Sequence, residues 1–166
     1  MIDTKEQKEK ISSEILQFAS FKIGSDKYAI DIMKIKEITR FCPIKRVPKS
    51  PPFVDGVINL RGRIIPIMDM RKRLDVEVTP AGKKTRIFVV IMLNRVAGLL
   101  VDEATEVIRI PLTQIKPAPG FAKAVDAQFF EGVFEKNGEL ILIFNIDKIL
   151  TGQEITSLME MKAPGS

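Results

Sequence analysis

Six acidic residues stand near apolar runs where acid–base chemistry could be organised: Asp31, Glu37, Asp69, Asp102, Glu103 and Glu106. One thiol, Cys42, could act as a nucleophile. None of the carboxylates falls in a spacing that names a reaction. The chain has no histidine, which removes Ser-His-Asp and Cys-His catalysis, histidine-ligated metals and a phospho-accepting histidine together. Cys42 precedes Pro43 and has no base to activate it, so it reads as a loop residue. Asp102 and Glu103 follow the run GLLV and read as a strand end meeting solvent. P-loop, GxGxxG and CxxC patterns are missing, so no cofactor, no metal and no catalytic residue is expected.

Arg61 breaks a local rule. Val57–Leu60 and Ile64–Met68 read as strands joined through Arg61-Gly62-Arg63. Tight hairpins favour Asn or Asp before Gly, because that position often needs a positive φ. An arginine there is placed to meet a partner's carboxylate by a bidentate bond, or it is an exposed loop residue and nothing more. Glu37 lies among Ile30, Ile32, Ile35 and Ile38. It is either solvated or paired with Arg61 or Arg40.

A long repeat positions these residues. VDGVINLRGRIIPIMDMRKRL (54–74) matches FEGVFEKNGELILIFNIDKIL (130–150) at a shift of 76 residues. Gly56 falls on Gly132, Gly62 on Gly138, Asp69 on Asn145 and Arg61 on Asn137. Upstream, YAIDIMKIKEITR (28–40) resembles VAGLLVDEATEVIR (96–109), with one residue more in the second copy. Each copy reads as about five short strands, which suggests a small barrel. Modules of ~65 residues are marginal alone, so the two are expected to pack together. Tyr28, Ile30 and Ile32 alternate with smaller or polar residues as in a half-buried strand. Asp69 is expected to cap a helical turn through Leu74. Pro66 argues for an edge or bulged strand. Met33, Met68, Met70 and Met92 lie in apolar runs and are expected in the core.

The 166 residues carry a net charge of +5, and the lysines are scattered except at Arg71-Lys72-Arg73 and Lys83-Lys84. A basic balance suits a solvated surface or an anionic partner. A tandem barrel that binds nucleic acid is therefore a second reading, although tryptophan is missing and there is one tyrosine to stack bases. No apolar run reaches the ~20 residues of a membrane span, and the first residues carry no apolar signal core. Phe41, Ile44 and Val47 in RFCPIKRVP, and Phe121 in PAPGFAKAV, put large apolar groups in loops. They read as partner surfaces or as plugs on the barrels.

FxxGxxxYAIDIxKIKEI, PxFVDGVINLRGxIIPIxDxR, VAGLLVDEATEVIRI and IKPAP together resemble the CheW family of chemotaxis coupling proteins, from about Phe18 to Leu150. The resemblance implies an all-β fold of two packed SH3-like five-stranded β-barrel subdomains with short helical turns. It implies a CheW-like domain at 16–152 with subdomains of about 16–82 and 83–150; the polar, charged residues 1–15 read as a flexible tail, and 153–166, which add little of the family's pattern, as a C-terminal tail with helical potential. The resemblance further implies a non-enzymatic, cytoplasmic adaptor that joins the histidine kinase CheA to chemoreceptor tips in membrane-associated arrays. Neither nucleic-acid binding nor membrane insertion is expected, and assembly with the kinase into rings is. The receptor-binding residues implied are Ile35, Glu37, Gly56, Arg61, Gly98 and Val107. The kinase-binding residues implied are Ile44, Val47 and Phe121.

Overall fold

The chain opens with a hairpin, β1 (Ile15–Ile23) and β2 (Asp26–Asp31), turned at Gly24, whose φ of +63° suits glycine. β3 (Ile35–Arg40), β4 (Gly56–Leu60), β5 (Arg63–Asp69), the helical turn α1 (Met70–Arg73), β6 (Arg86–Met92), β7 (Arg95–Val101), β8 (Glu103–Pro111), β9 (Phe130–Lys136) and β10 (Glu139–Phe144) follow. The computed structural model describes residues 14–117, 129–150, 153–154 and 156–157. The expected tail at 1–15 therefore lies almost wholly outside the described residues, and Ile15 already opens β1. Gln153, Glu154, Thr156 and Ser157 are helical, and the rest of the expected C-terminal tail lies outside the described residues.

The strands form two five-stranded sheets, in the orders β8-β1-β2-β10-β9 and β3-β6-β7-β5-β4. The fold is all-β with two packed subdomains, as expected. The boundary between subdomains needs correction. Residues 16–82 and 83–150 are sequence repeats, but neither half closes a sheet by itself. Each repeat lends its first hairpin to the sheet of the other. β6–β7 inserts between β3 and β5, and β1–β2 inserts between β8 and β10. The seams are parallel pairs: Ile67 with Gly98 and Asp69 with Leu100 in one sheet, Ile141 with Lys27 and Ile143 with Ala29 in the other.

The repeat itself holds residue by residue. Gly56 pairs with Ile67 and Leu60 with Arg63; 76 residues on, Gly132 pairs with Ile143 and Lys136 with Glu139. For the first three strands the shift is 69 throughout, since Ala29 and Gly98 take the same place beside Ile143 and Ile67. No extra residue is needed in the second copy. The shared register places Tyr28 with Ala97, not with Val96.

Three cores result. The largest lies between the sheets, where Phe21, Tyr28, Phe88, Phe129 and Phe144 join Ile30, Met68, Met70, Met92 and Leu99. Phe21 and Phe144 stack with centroids 6.0 Å apart, and Phe88 meets Phe21 edge-on at 5.0 Å. Inside one sheet Phe18, Ala29, Ile108, Ile141 and Ile143 pack together; inside the other, Ile58, Ile65, Ile67, Ile87 and Leu100 do. β2 is thus buried on both faces, not half-buried. Met33 is the exception among the expected core methionines, at 81% exposure. The Asp31 carboxylate accepts the Met33 N–H at 2.9 Å and turns the chain away from the sheet there. β5 is an interior strand, not an edge. Pro66 is tolerated because its pairing with β7 begins only at Ile67.

Side chains clasp both crossings between the sheets. At the second, Arg71 donates to both Asp69 oxygens at 3.0 Å and to Asp102 Oδ1 at 3.2 Å, while Asp102 Oδ2 accepts the Gly24 N–H at 2.6 Å. At the first, Asp147 takes Lys34 at 3.2 Å and the Leu93 N–H at 3.1 Å. The repeat carries Arg71 onto Asp147, so the two crossings are clasped from corresponding positions by side chains of opposite charge, with partners, Asp102 and Lys34, that are not counterparts of each other. Asp102 is therefore a tether between sheets, not a strand end that simply meets solvent. Asp69 caps α1 as expected, its carboxylate accepting the Arg71 N–H. Among the described residues no helix is long and apolar enough to cross a membrane.

The Arg71 side chain is 4% exposed and that of Asp69 2%. Arg71→Met should lower unfolding free energy in urea by about 3–5 kcal/mol, because it leaves Asp69 buried without its partner. A loss under about 1 kcal/mol would remove the clasp from the fold's essential contacts.

Candidate functional site

Arg61 occupies the first position of the β4–β5 turn at φ +51°, followed by Gly62 at +82°. Its counterpart Asn137 has φ +52° and Gly138 +80°. The two turns share one backbone, so the left-handed geometry is common to both copies and only the residue type differs. Asn adopts that geometry with little penalty; Arg is uncommon there. Asn59 supports the first turn by accepting the Gly62 N–H at 2.9 Å.

The guanidinium folds back onto β3. Arg61 Nη1 donates to Glu37 Oε1 at 2.9 Å and Nη2 to Oε2 at 2.6 Å, a two-pronged pair. Of the alternatives open for Glu37, pairing with Arg61 is the one found. Its position comes from a bulge: Ile35 pairs with Val90 and Glu37 with Val89, leaving Lys36 as the extra residue. The Arg61 side chain remains 74% exposed and that of Glu37 27%. The hydrogen bond from Arg61, then its charge and that of Lys36, hold the Glu37 carboxyl below the usual glutamate range against some desolvation.

The remaining expected receptor residues divide. Gly56 is buried: a Cβ there would sit 2.4 Å from the Lys45 carbonyl oxygen and 2.7 Å from Ile44. Gly98 is buried under Ile67, which an added Cβ would meet at 2.4 Å. Both glycines seat the strands beneath the site and offer no surface. Ile35 is half-buried against the core between the sheets. Val107 is 56% exposed but stands in the other sheet, paired with Ala19. Ile38 and Ile64, which sequence reasoning did not assign to the site, are 43% and 40% exposed on the strands that carry Glu37 and the Arg61 turn. Ile64 follows the turn directly, so its exposure could have been anticipated from the hairpin alone.

Of the expected kinase residues, Ile44 packs partly against the core of its sheet and beneath Gly56. Val47 lines a cleft of about 690 Å³ with Arg46, Pro48, Lys49, Pro51, Pro52 and Lys72. Phe121 lies outside the described residues. The densest basic run is spent internally: Arg71 on Asp69 and Asp102, Lys72 on Asp55, and Arg73 on Glu154 at 2.5 Å. It does not form a basic face for nucleic acid.

Among the described residues no group of His, Cys, Asp and Glu could hold a metal. Two packed β subdomains with an exposed, ion-paired turn define an interaction module. A CheW-like domain profile matches residues 17–154, and the chain belongs to the CheW family. The chemotaxis protein CheW of Helicobacter pylori is 36% identical over 143 residues, 86% of each chain. That of Klebsiella aerogenes is 32% identical over 139 residues, 84% of each. The crystal structure of the scaffolding protein TtCheW from Thermoanaerobacter tengcongensis superposes with a TM-score of 0.77 at 31% identity, over 85% of this chain and 96% of that one.

Two outcomes are expected. In a carbon-detected NMR titration, the Glu37 carboxyl should titrate below an ordinary glutamate, so that the pair is present at neutral pH and lost only as pH falls through that lowered value. Arg61→Ala should return the midpoint to the ordinary range. Separately, Gly98→Val should lower stability by ~1–3 kcal/mol through overpacking against Ile67 and Ile87. A loss of partner binding in that variant with full stability would contradict the packing role given to Gly98.

Proposed function

We propose that this chain is a non-enzymatic adaptor that couples the histidine kinase CheA to the cytoplasmic tips of chemoreceptors, within arrays at the membrane. Family membership supports the chemotaxis role. The observation that supports the coupling site is the Glu37–Arg61 pair, with an exposed guanidinium held in place on a positive-φ turn. With Nη1 and Nη2 each giving one N–H to Glu37, the Nε–H edge of the guanidinium is held at the hairpin tip facing a partner's carboxylate, and orientation of that kind sets specificity more than affinity. Ile38 and Ile64 add exposed apolar surface on the opposite face of the strands that carry Glu37 and the Arg61 turn. Ile35, Gly56 and Gly98 contribute by holding β3, β4 and β7 in register. Val107 adds exposed apolar surface on the other sheet.

The kinase is assigned to the ends of the subdomains. Val47 in its proline-walled cleft is the accessible contact there, with Ile44 behind it; Phe121, from the corresponding stretch of the second repeat's sequence, is the third residue assigned to the kinase. Binding at separate places lets one chain hold both partners, and alternation of chain and kinase would build rings.

The test is kinase autophosphorylation in a reconstituted mixture of receptor tips and cognate CheA. Stimulation should depend on this chain and fall by about tenfold or more with Arg61→Ala, while the variant's unfolding curve stays near that of the parent, since a solvent-exposed pair adds little to stability. Stimulation unchanged by Arg61→Ala would overturn the site. No stimulation at all, where an established coupler works, would overturn the function.

A further inference from the structure

The duplication should present two equal faces, and the molecule has made them unequal. The 69-residue shift carries Glu37 onto Glu106 and Ile38 onto Val107; the 76-residue shift carries Arg61 onto Asn137, Arg63 onto Glu139 and Ile64 onto Leu140. The apolar members match in exposure: Ile38 43% and Val107 56%, Ile64 40% and Leu140 51%. Both bulge glutamates also find a cation at the hairpin. Glu106 takes Lys136 at 2.9 Å, from the residue before Asn137.

The charges around them differ in kind. In the second face the counterparts of Glu37 and Arg63, Glu106 and Glu139, are both paired. Lys136 holds Glu106, and Lys27 holds Glu139 at 3.0 Å. The bulge there is tied inward: the Ser20 hydroxyl donates to the Glu106 carbonyl at 2.9 Å, accepts its N–H at 3.2 Å and meets Thr105 Oγ1 at 2.5 Å. In the first face the bulge residue is Lys36 in place of Thr105, Val89 replaces Ser20, and Val96 stands where the other face has Lys27. Lys36 and Arg63 are both exposed; Lys36 acts on Glu37 through its charge without bonding to it, and neither forms an ion pair of its own among the described residues. The bulge and turn of the first face thus carry three cations, Lys36, Arg61 and Arg63, and of these Arg61 alone is bonded to Glu37.

We propose that Arg63 and Lys36 are specificity-determining residues. They make the first face electropositive and select an acidic helical segment, while the self-neutralised second face is excluded from taking the same partner. The proposal rests on the coupling reading above, in which the Arg61 turn meets a receptor helix. Its physical basis is that uncommitted cations attract and orient a carboxylate-bearing helix, whereas a closed set of ion pairs must be broken before it can offer a donor. One occupied face out of two gives the adaptor a single polarity despite its internal symmetry.

The experiment is a calorimetric titration of the full chain with a soluble fragment of a chemoreceptor cytoplasmic tip, at low and at physiological salt. The parent should bind one equivalent, with affinity falling as salt rises. Lys36→Thr with Arg63→Glu should weaken binding by about tenfold or more while the Glu37–Arg61 pair stays intact by NMR. The reverse transplant, Thr105→Lys, Asn137→Arg and Glu139→Arg, should raise the stoichiometry from one to two. Binding lost in Arg61→Ala but unchanged in Lys36→Thr with Arg63→Glu overturns this inference and leaves the coupling site standing. Two equivalents bound by the parent also overturn it. Binding that ignores Arg61→Ala overturns the coupling reading on which it rests. Should the transplant fail to fold, the loss-of-charge variant decides alone.

Discussion

Two short parallel seams carry this molecule. Ile67 to Asp69 of β5 run alongside Gly98 to Leu100 of β7, and Ile141 to Ile143 of β10 run alongside Lys27 to Ala29 of β2. Each seam joins a hairpin from one repeat to a hairpin from the other, so the backbone hydrogen bonds of both sheets close only across the duplication. The close approach at Gly98, where Ile67 fills the space of a side chain, is a local consequence. The clasp is another. Beyond the last pair of the first seam, Asp69 with Leu100, the chains continue to hold each other through Arg71 and Asp102, with side-chain bonds taking over from backbone ones. Arg71 is buried because it sits where the seam ends, and its charge is acceptable there because three acceptors surround it: Asp69, Asp102 and the Thr79 carbonyl.

The duplication also explains how one scaffold can carry an unusual turn. The backbone at Arg61 and Asn137 is the same to within a degree in φ. The geometry is set by the strands and the following glycine, and a residue that strains it can be accepted in one copy without changing the other. The same holds beneath the turns. Gly56 and Gly132 each lie against the carbonyl and side chain of an Ile-Lys pair, Ile44-Lys45 and Ile115-Lys116, which bridge to Val57 and Val133. Support is conserved between the copies while the exposed ends diverge, a division expected when packing is shared and partners are not.

What the sequence made legible follows from this. Hairpin turns, the α1 cap and the 76-residue repeat were readable because they depend on residues close in sequence: glycine at fixed offsets, Asp69 before a helical turn, Val-Ile-rich runs. The exchange of hairpins was not. A repeat has the same hydrophobic pattern whether its strands pair within the copy or across it, so 16–82 looked like a closed unit. The letters of 28–40 and 96–109 suggest an extra residue because Ala29 and Ala97 match by type, whereas the position facing Ile67 belongs to Gly98. Nothing in the run RKR marks Arg71 for burial, and the apolar run around Met33 suggests burial that the structure does not show. In both cases one backbone cap, at Asp69 and at Asp31, decided the outcome. At the candidate site the pairing of Glu37 with Arg61 was among the readings open from sequence. The exposure of Ile38 and Ile64 and the paired glutamates of the second face needed coordinates, since they depend on the bulge at Lys36 and on Lys27 arriving from the exchanged hairpin.

The exchange has a consequence for how the chain acquires its shape on the ribosome. The β1–β2 hairpin is synthesised first, yet its neighbours in the sheet are β8 and β10, which end at Pro111 and Phe144. At ~5–20 residues per second the hairpin waits several seconds or more for them. During that interval Phe18, Phe21 and Ile30, all but inaccessible in the finished protein, have no partners to cover them. The other sheet is complete once β7 emerges and can serve as a template, because its outer face already presents Phe88, Val90 and Leu99. Folding order is thereby tied to topology. The central stretch from β3 to β7 forms a finished sheet, and the two ends of the chain close over it last. Sequence-distant pairing of this kind makes slow folding and chaperone dependence the expected behaviour.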